Sequence, residues 1–304
     1  MNFKLGFGRA TAHHGELFQG QVEDEYGRLR RCLVSLPCNR LYSEAVFSPD
    51  ISGTLVVCPD SKEKTRRVAE LTRAYFSLGH IGGRIVTTSN IIEGKGYGSS
   101  TADCVATVRA IADALHCSLT PQETAKLVVD AETASDNIMF AHAVLFAQRE
   151  GIVLEDFEQS IPALEVIGID TDRHGIVDTL AYPPAEYDWQ EIQTFRVLLG
   201  ALRRAIRAQD KSLLGRVATA SARVNERFLP KYLFDEILEL SNRIGALGIA
   251  VAHSGTVLSI LLDPDDESVE HKVDILILEL DTLGFRDLFR FRTDCLQPQI
   301  SASV

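Results

Sequence analysis

Gly94, Gly96 and Gly98 stand at alternate positions and lead into Ser99, Ser100 and Thr101, within "IIEGKGYGSSTADCVATVRAIADAL" (91–115). The second half of that stretch has a helical period. Thr101, Val105, Val108, Ala112 and Leu115 recur at steps of four and three, with Arg109, Asp113 and His116 opposite, which predicts a two-faced helix. The hydroxyls can cap its first turn, and the glycines admit backbone conformations closed to other residues. The first-turn amides would then face open space. Together with the positive end of the helix dipole they attract an anion, and a phosphate chain is the commonest ligand of such a site. Glycine turns also begin helices that bind nothing, so a plain turn stays open on this loop alone. The spacing does exclude two familiar phosphate loops: there is no Lys followed by Ser or Thr after four free positions, and no third glycine where the dinucleotide fingerprint needs one.

Three further stretches carry polar groups that could act on a substrate. "TAHHGELFQG" (11–20) holds two histidines and a Gly-Glu step, and is too polar for a core strand, so a surface turn is expected. "DAETASDNIMF" (130–140) places Asp130, Glu132 and Asp136 at a helix end and the turn after it. Asp136 beside Asn137 can orient or deprotonate a hydroxyl, and Glu132 can offer an oxygen to Mg²⁺, which favours one or two carboxylates plus phosphates. "AVAHSGTVLSILLD" (250–263) puts Ser254 and Gly255 between two apolar runs, as in a simple hairpin. His13 and His14 lack a metal-helix spacing, and His142 falls in an apolar strand candidate, so no histidine is expected to ligate metal.

The elements that must position these residues follow from periodicity and turn residues. Strands are expected near 32–35, 41–47, 53–58 and 84–89, helices over 62–76 and from Thr120-Pro121 to about Ala131, and a hairpin turning at Glu150-Gly151. A boundary near Ser160-Ile161-Pro162 divides the chain into halves 1–160 and 161–304, with Tyr182-Pro183-Pro184 extending a connection in the second. "ALEVIGIDT" reads as a buried strand; three helical pieces follow, broken near Asp210 and Pro230, and then strand, strand, helix and strand. That order fits an α+β protein better than a doubly wound sheet.

Composition narrows the partners. A chain of 304 residues with 45% hydrophobic and 24% charged residues is an ordinary globular protein. Its formal charge of −11 argues against nucleic acid or an anionic membrane as main partner, and no apolar run is long enough to span one, which leaves small molecules. Cys32, Cys38, Cys58, Cys104, Cys117 and Cys295 form no CxxC pair and read as reduced, mostly buried residues of a cytoplasmic protein. A homodimer stays open.

Taken in order, the Gly-Glu motif, the glycine-serine loop, the Asp-Asn turn and the late glycine loop make the chain, from about Gly8 to Asp263, resemble the GHMP superfamily of small-molecule kinases. The superfamily is named for galactokinase, homoserine kinase, mevalonate kinase and phosphomevalonate kinase. The most specific match, Gly94-Lys95-Gly96-Tyr97-Gly98-Ser99-Ser100, parallels a loop that usually reads P-x-x-x-G-L-G-S-S-A, with Ile92, Tyr97 and Thr101 replacing Pro, Leu and Ala. "GELFQG", "SSTAD" and "HSGTV" are similar to the bacterial L-threonine kinase branch, which serves cobalamin synthesis. The resemblance implies a GHMP kinase fold, with an N-terminal half like ribosomal protein S5 domain 2, a ferredoxin-like C-terminal half and the active site between them. It further implies ATP phosphates held by Gly94, Lys95, Gly96, Gly98, Ser99, Ser100 and Thr101, and Mg²⁺ held by Ser100 and Glu132. Asp136 would be base or orienter. Glu16, His14 and Asn137 would sit at the acceptor, with Ser254, Gly255 and Thr256 closing over it. The implied reaction converts L-threonine to O-phospho-L-threonine; serine, homoserine or another small amino alcohol is the alternative acceptor. A catalytically silent nucleotide-binding regulator is the alternative of another class.

Overall fold

The computed structural model describes residues 4–172 and 185–294, in which ten strands and seven helices are arranged as an α+β protein. The chain opens with two long antiparallel strands, β1 (Gly6–Glu23) and β2 (Leu29–Asp50). They are followed by β3 (Leu55–Cys58), α1 (Glu63–Tyr75), β4 (Gly82–Ser89), α2 (Ser99–Ala114), α3 (Pro121–Glu132) and the hairpin β5 (Val144–Ala147) and β6 (Ile152–Asp156). Then come β7 (Glu165–Asp170), α4 (Trp189–Ala208), α5 (Lys211–Asn225), α6 (Phe234–Arg243), β8 (Gly248–Val251), β9 (Val257–Leu262), α7 (Val269–Thr282) and β10 (Leu288–Arg292). The strand order is β10-β7-β9-β8-β1-β2-β4-β3, with β5 on β2 and β6 on β5. Tyr182-Pro183-Pro184 and Cys295 lie outside the described residues; Cys32, Cys38 and Cys104 are buried free thiols, and Cys58 and Cys117 are half-buried ones.

Two sequence expectations fail in the first fifty residues, for one reason. The stretch 11–20 is the middle of β1 rather than a surface turn, and the strands expected at 32–35 and 41–47 are parts of one strand, β2. Both faces of β1 are covered here. Ala12, Leu17 and Phe18 are fully buried, and so are the polar side chains His13, His14 and Glu16 that made the segment read as surface. β1 carries them because it is the seam of the sheet: β2 runs along one edge, and the other meets β8 at Glu16 and Val251.

The helix after the glycine loop also departs from expectation. From Thr101 to Ala112 only Arg109 is exposed, because α2 is packed against β1, β2, α1 and α3 at once. A two-faced pattern belongs to a helix with one side in water. By contrast α3 begins as expected, with Thr120 and Glu123 forming a capping box and Pro121 in the first turn. The expected junction at 160–161 falls between β6 and β7. One hydrophobic cluster spans it, joining Leu17, Phe18, Cys32 and Leu145 to Phe195, Leu214, Ala250 and Phe291.

Candidate active site

A cleft of about 370 Å³ opens where the glycine loop, the first turn of α2, the turn after α3 and the end of α5 converge. At its wall Gly98 occupies the N-cap of α2 with φ +74, a left-handed conformation that a side chain would strain, and no side chain caps the helix. Sequence reasoning expected hydroxyl caps from Ser99, Ser100 and Thr101. Instead the hydroxyls turn away from their own helix: Thr101 Oγ1 donates to Glu132 Oε1 at 2.7 Å, and Ser100 also bonds that carboxylate. The first-turn amides are thereby left for a ligand, with the helix dipole behind them. Glu132 is buried, and burial pushes its carboxyl up to about 7 against the pull of Ser100, Thr101 and Lys64, whose Nζ is 3.8 Å away. A hydroxyl and a buried carboxylate beside a phosphate-sized space are oxygen donors of the kind Mg²⁺ takes, so the residues fit that ion.

Four titratable side chains meet at one side of the cleft, Asp136 and His253 on its wall and His13 and Glu16 buried behind them. His13 Nε2 lies 3.2 Å from Asp136 Oδ2, and His13 Nδ1 lies 3.4 Å from Glu16 Oε1. His253 Nδ1 lies 2.9 Å from that same Glu16 oxygen and 3.8 Å from Asp136 Oδ1. Burial alone would lower the His13 pKa; the charges of Asp136 and Glu16 outweigh it and raise it to about 9, so His13 is an imidazolium at neutral pH. His253 is raised in the same way, its burial opposed by Glu16 and Asp136. Burial would raise the Asp136 carboxyl, but the two imidazoles pull it well below the usual carboxylate range. Asp136 therefore stays ionised. Its Oδ1 has no hydrogen-bond partner among the described residues, an orphaned acceptor on the wall of a cleft.

A backbone irregularity sets this cluster. Side chains three apart on a strand normally face opposite ways. The register runs from His13 opposite Pro37 to Glu16 opposite Ser35, so β1 spends an extra residue, and Gly15 takes it up at φ +87. His13 and Glu16 consequently share a face. His14 goes to the other one, where Ser259 Oγ lies 2.7 Å from its Nδ1, Phe289 stacks on the ring, and burial holds the pKa down at about 3.

Of the residues singled out in the sequence, Gly94, Gly96, Gly98, Ser99, Ser100, Thr101, Glu132, Asp136 and Ser254 line the cleft. Five do not. His14, expected at the acceptor, is a neutral core histidine. Asn137 spends its amide on structure, accepting from Ser35 N at 3.3 Å and donating to Val144 O at 3.2 Å. Lys95 turns from the phosphate space to Asp170 Oδ2 at 2.9 Å, and Thr256 bonds the same carboxylate group. Glu16 lies behind His253 and reaches the cleft only through it. Gly255 packs directly on the Lys95-Gly96 backbone, so the late loop braces the phosphate loop. Sequence reasoning missed His13, buried against Asp136, and His253, Gln19, Arg31, Arg149, Tyr187 and Lys231 on the cleft walls. His13 and His253 stood inside motifs already singled out; Gly15, as a bulge residue, was the one signal that could have separated His13 from His14.

Residues 63–143 match the family described as GHMP kinases N terminal domain. The chain is similar to the L-threonine kinase of Citrobacter freundii, 29% identical over 200 residues that cover 62% of this chain and 65% of that protein. Similarity to the L-threonine kinase of Salmonella typhimurium is also 29%, over 59% of this chain and 60% of that protein. The matched part thus spans less than two thirds of either relative's length. Among solved structures, homoserine kinase from Cytophaga hutchinsonii superposes with a TM-score of 0.68 at 16% identity, covering 96% of this chain and 95% of that one.

Proposed function

We propose, from the premise that the chain carries a GHMP kinase N-terminal domain on a GHMP kinase fold, that it transfers the γ-phosphoryl group of ATP to the hydroxyl of a small acceptor, L-threonine first. In this reading residues 1–160 supply the phosphate site and residues 161–304 complete the acceptor side. The observation that carries it is the pairing of an uncapped helix start with an ionised, unpartnered Asp136 oxygen in one cleft.

The α2 amides bind and orient the phosphates. Ser100 and Glu132 would hold Mg²⁺, which supplies charge neutralisation to the phosphates when bound. Asp136 Oδ1 accepts a hydrogen bond from the acceptor hydroxyl and aims its oxygen in line with the γ-phosphorus. The new O–P bond forms as the bond to ADP breaks, and the hydroxyl proton passes to Asp136 and on to solvent. A carboxylate held ionised by two imidazoles is a weak base. That suits a loose transition state, in which the proton leaves late and orientation does most of the work.

L-Threonine is favoured by similarity to two L-threonine kinases. Purified protein with ATP, Mg²⁺ and equal L-threonine, L-serine, L-homoserine or small amino alcohol should yield O-phospho-L-threonine as the main product by mass. Serine turnover should be slower, since one methyl group is worth only about 1–3 kcal/mol to an apolar pocket. Asp136→Asn should lower kcat by about 10²–10⁴ with ATP affinity kept, whereas Glu132→Gln should raise the Mg²⁺ requirement. ATP binding without turnover, whatever acceptor is added, would instead support a silent regulator.

A further inference from the structure

The kinase reading leaves open what holds the rest of the acceptor once its hydroxyl is at Asp136. His14 was expected at the acceptor, but it points into the core. Two arginines on the cleft wall form no ion pair with an acid among the described residues. Arg31 lies on β2 and Arg149 in the β5–β6 turn, and the antiparallel pairing of β2 with β5 at Leu33 and Phe146 brings the two positions together. Both line the cleft that holds Ser99, Ser100, Thr101 and Asp136.

The acids of this sheet edge are spent on other arginines. Asp24 takes Arg28 Nε at 3.0 Å and Arg30 Nε at 3.0 Å, and Glu150 takes Arg30 Nη1 at 3.3 Å. Arg31, by contrast, donates only to the main-chain carbonyl of Ala185, and Arg149 makes no hydrogen bond or ion pair among the described residues. A carbonyl satisfies donors but neutralises no charge. Burial and the neighbouring Arg149 charge lower the Arg31 pKa, while Tyr187 and Glu186 oppose them; Glu186 forms no ion pair with it. Two guanidiniums that repel each other, in a chain of formal charge −11, leave room for an anion between them.

We infer that the acceptor carries a carboxylate, and that Arg31 and Arg149 hold it while Asp136 holds the hydroxyl. The inference rests on the kinase reading. A planar guanidinium can take a carboxylate through two parallel hydrogen bonds, which fixes the direction of the molecule as well as its charge. It makes the substrate class hydroxy acids and hydroxy amino acids rather than amino alcohols, which lack the carboxylate.

The test compares L-threonine with L-threoninol, in which a hydroxymethyl group replaces the carboxylate, on wild type, Arg31→Gln and Arg149→Gln, with ATP binding measured on each. The wild type should prefer threonine by about tenfold or more in kcat/KM, mostly through KM, as expected for a hydrogen-bonded charge pair. In each variant that preference should shrink to about threefold or less with ATP affinity unchanged. Arg149 is exposed, so its variant keeps the test alive if Arg31→Gln fails to fold. A wild type without preference for the carboxylate, or variants that retain the full preference, would overturn the inference while the kinase stands. Loss of ATP affinity in both variants would also overturn it, by assigning the arginines to phosphate. If no hydroxyl compound of a wide panel stimulates ATP consumption by wild type, the kinase reading fails and the inference falls with it.

Discussion

His13 is held as a cation between two buried carboxylates, and that has a measurable cost in alkali. Its pKa is raised from 6.5 to about 9, so its stabilising contribution is complete below pH 6.5 and is lost as pH rises through 9. The size is on the order of 2–3 kcal/mol. Melting temperatures measured from pH 6 to 9.5 should fall more steeply for wild type than for His13→Gln; the difference between the two curves isolates this residue from others that titrate nearby. Equal slopes would mean that His13 is neutral in the folded protein. At this scale the sequence was half legible. Glu132 and Asp136 could be singled out because the order of motifs gave a role to carboxylates that a solvated helix end would also explain, whereas His13 and His14 are the same residue type side by side. Only the parity of the strand separates an imidazolium in the site from a neutral ring in the core.

That parity belongs to β1 as an element. Gly15 carries the bulge at φ +87, and a Cβ there would stand 3.1 Å from the Val251 carbonyl carbon. Gly15→Ala should cost about 1–2 kcal/mol of stability through left-handed strain and crowding, and should lower kcat more than it weakens ATP binding, because it displaces His13 from Glu16 rather than the phosphate amides. Gly98→Val should differ. Its Cβ would lie 2.6 Å from His13 Cδ2 and 2.7 Å from Asp136 Oδ2, so phosphate binding and the acid–imidazolium pair should suffer together. Turnover and ATP titration on the two variants distinguish these patterns. Elements with a side in water, such as α3 with its capping box, were legible, and the late strands β8 and β9, buried throughout, were legible as short apolar runs. β1, β2 and α2 were misread because periodicity reports contrast between a wet and a dry side. The middle of β1, residues 32–36 of β2 and nearly all of α2 are covered all round, and the polarity left in β1 there reflects chemistry rather than exposure.

For the molecule as a whole, one sheet and a hydrophobic cluster shared across residue 160 mean that the halves should not melt separately. A single denaturant transition is expected, coincident by far-ultraviolet circular dichroism and by fluorescence of Trp189 on α4. ATP with Mg²⁺ at about a hundred times its dissociation constant should stabilise that one transition by about 2.7 kcal/mol. An N-terminal transition that alone shifts with ATP would show the halves to be independent. The α+β class and the order of elements could be read from the sequence, since local pattern fixes them; the seam could not, because pairing between distant strands leaves no local trace.

That seam also bears on how the protein is made. His253 meets Glu16 across 237 residues of chain. At ribosomal rates of about 5–20 residues per second, β1 leaves the tunnel roughly 10–50 s before the strand that will cover its second edge. A bare strand edge invites pairing with any other nascent chain, and charged or polar side chains pointing from it are what keep such edges hydrated. His13, His14 and Glu16 lie along that waiting edge, so two residues that later build the site, His13 and Glu16, also keep it polar during synthesis.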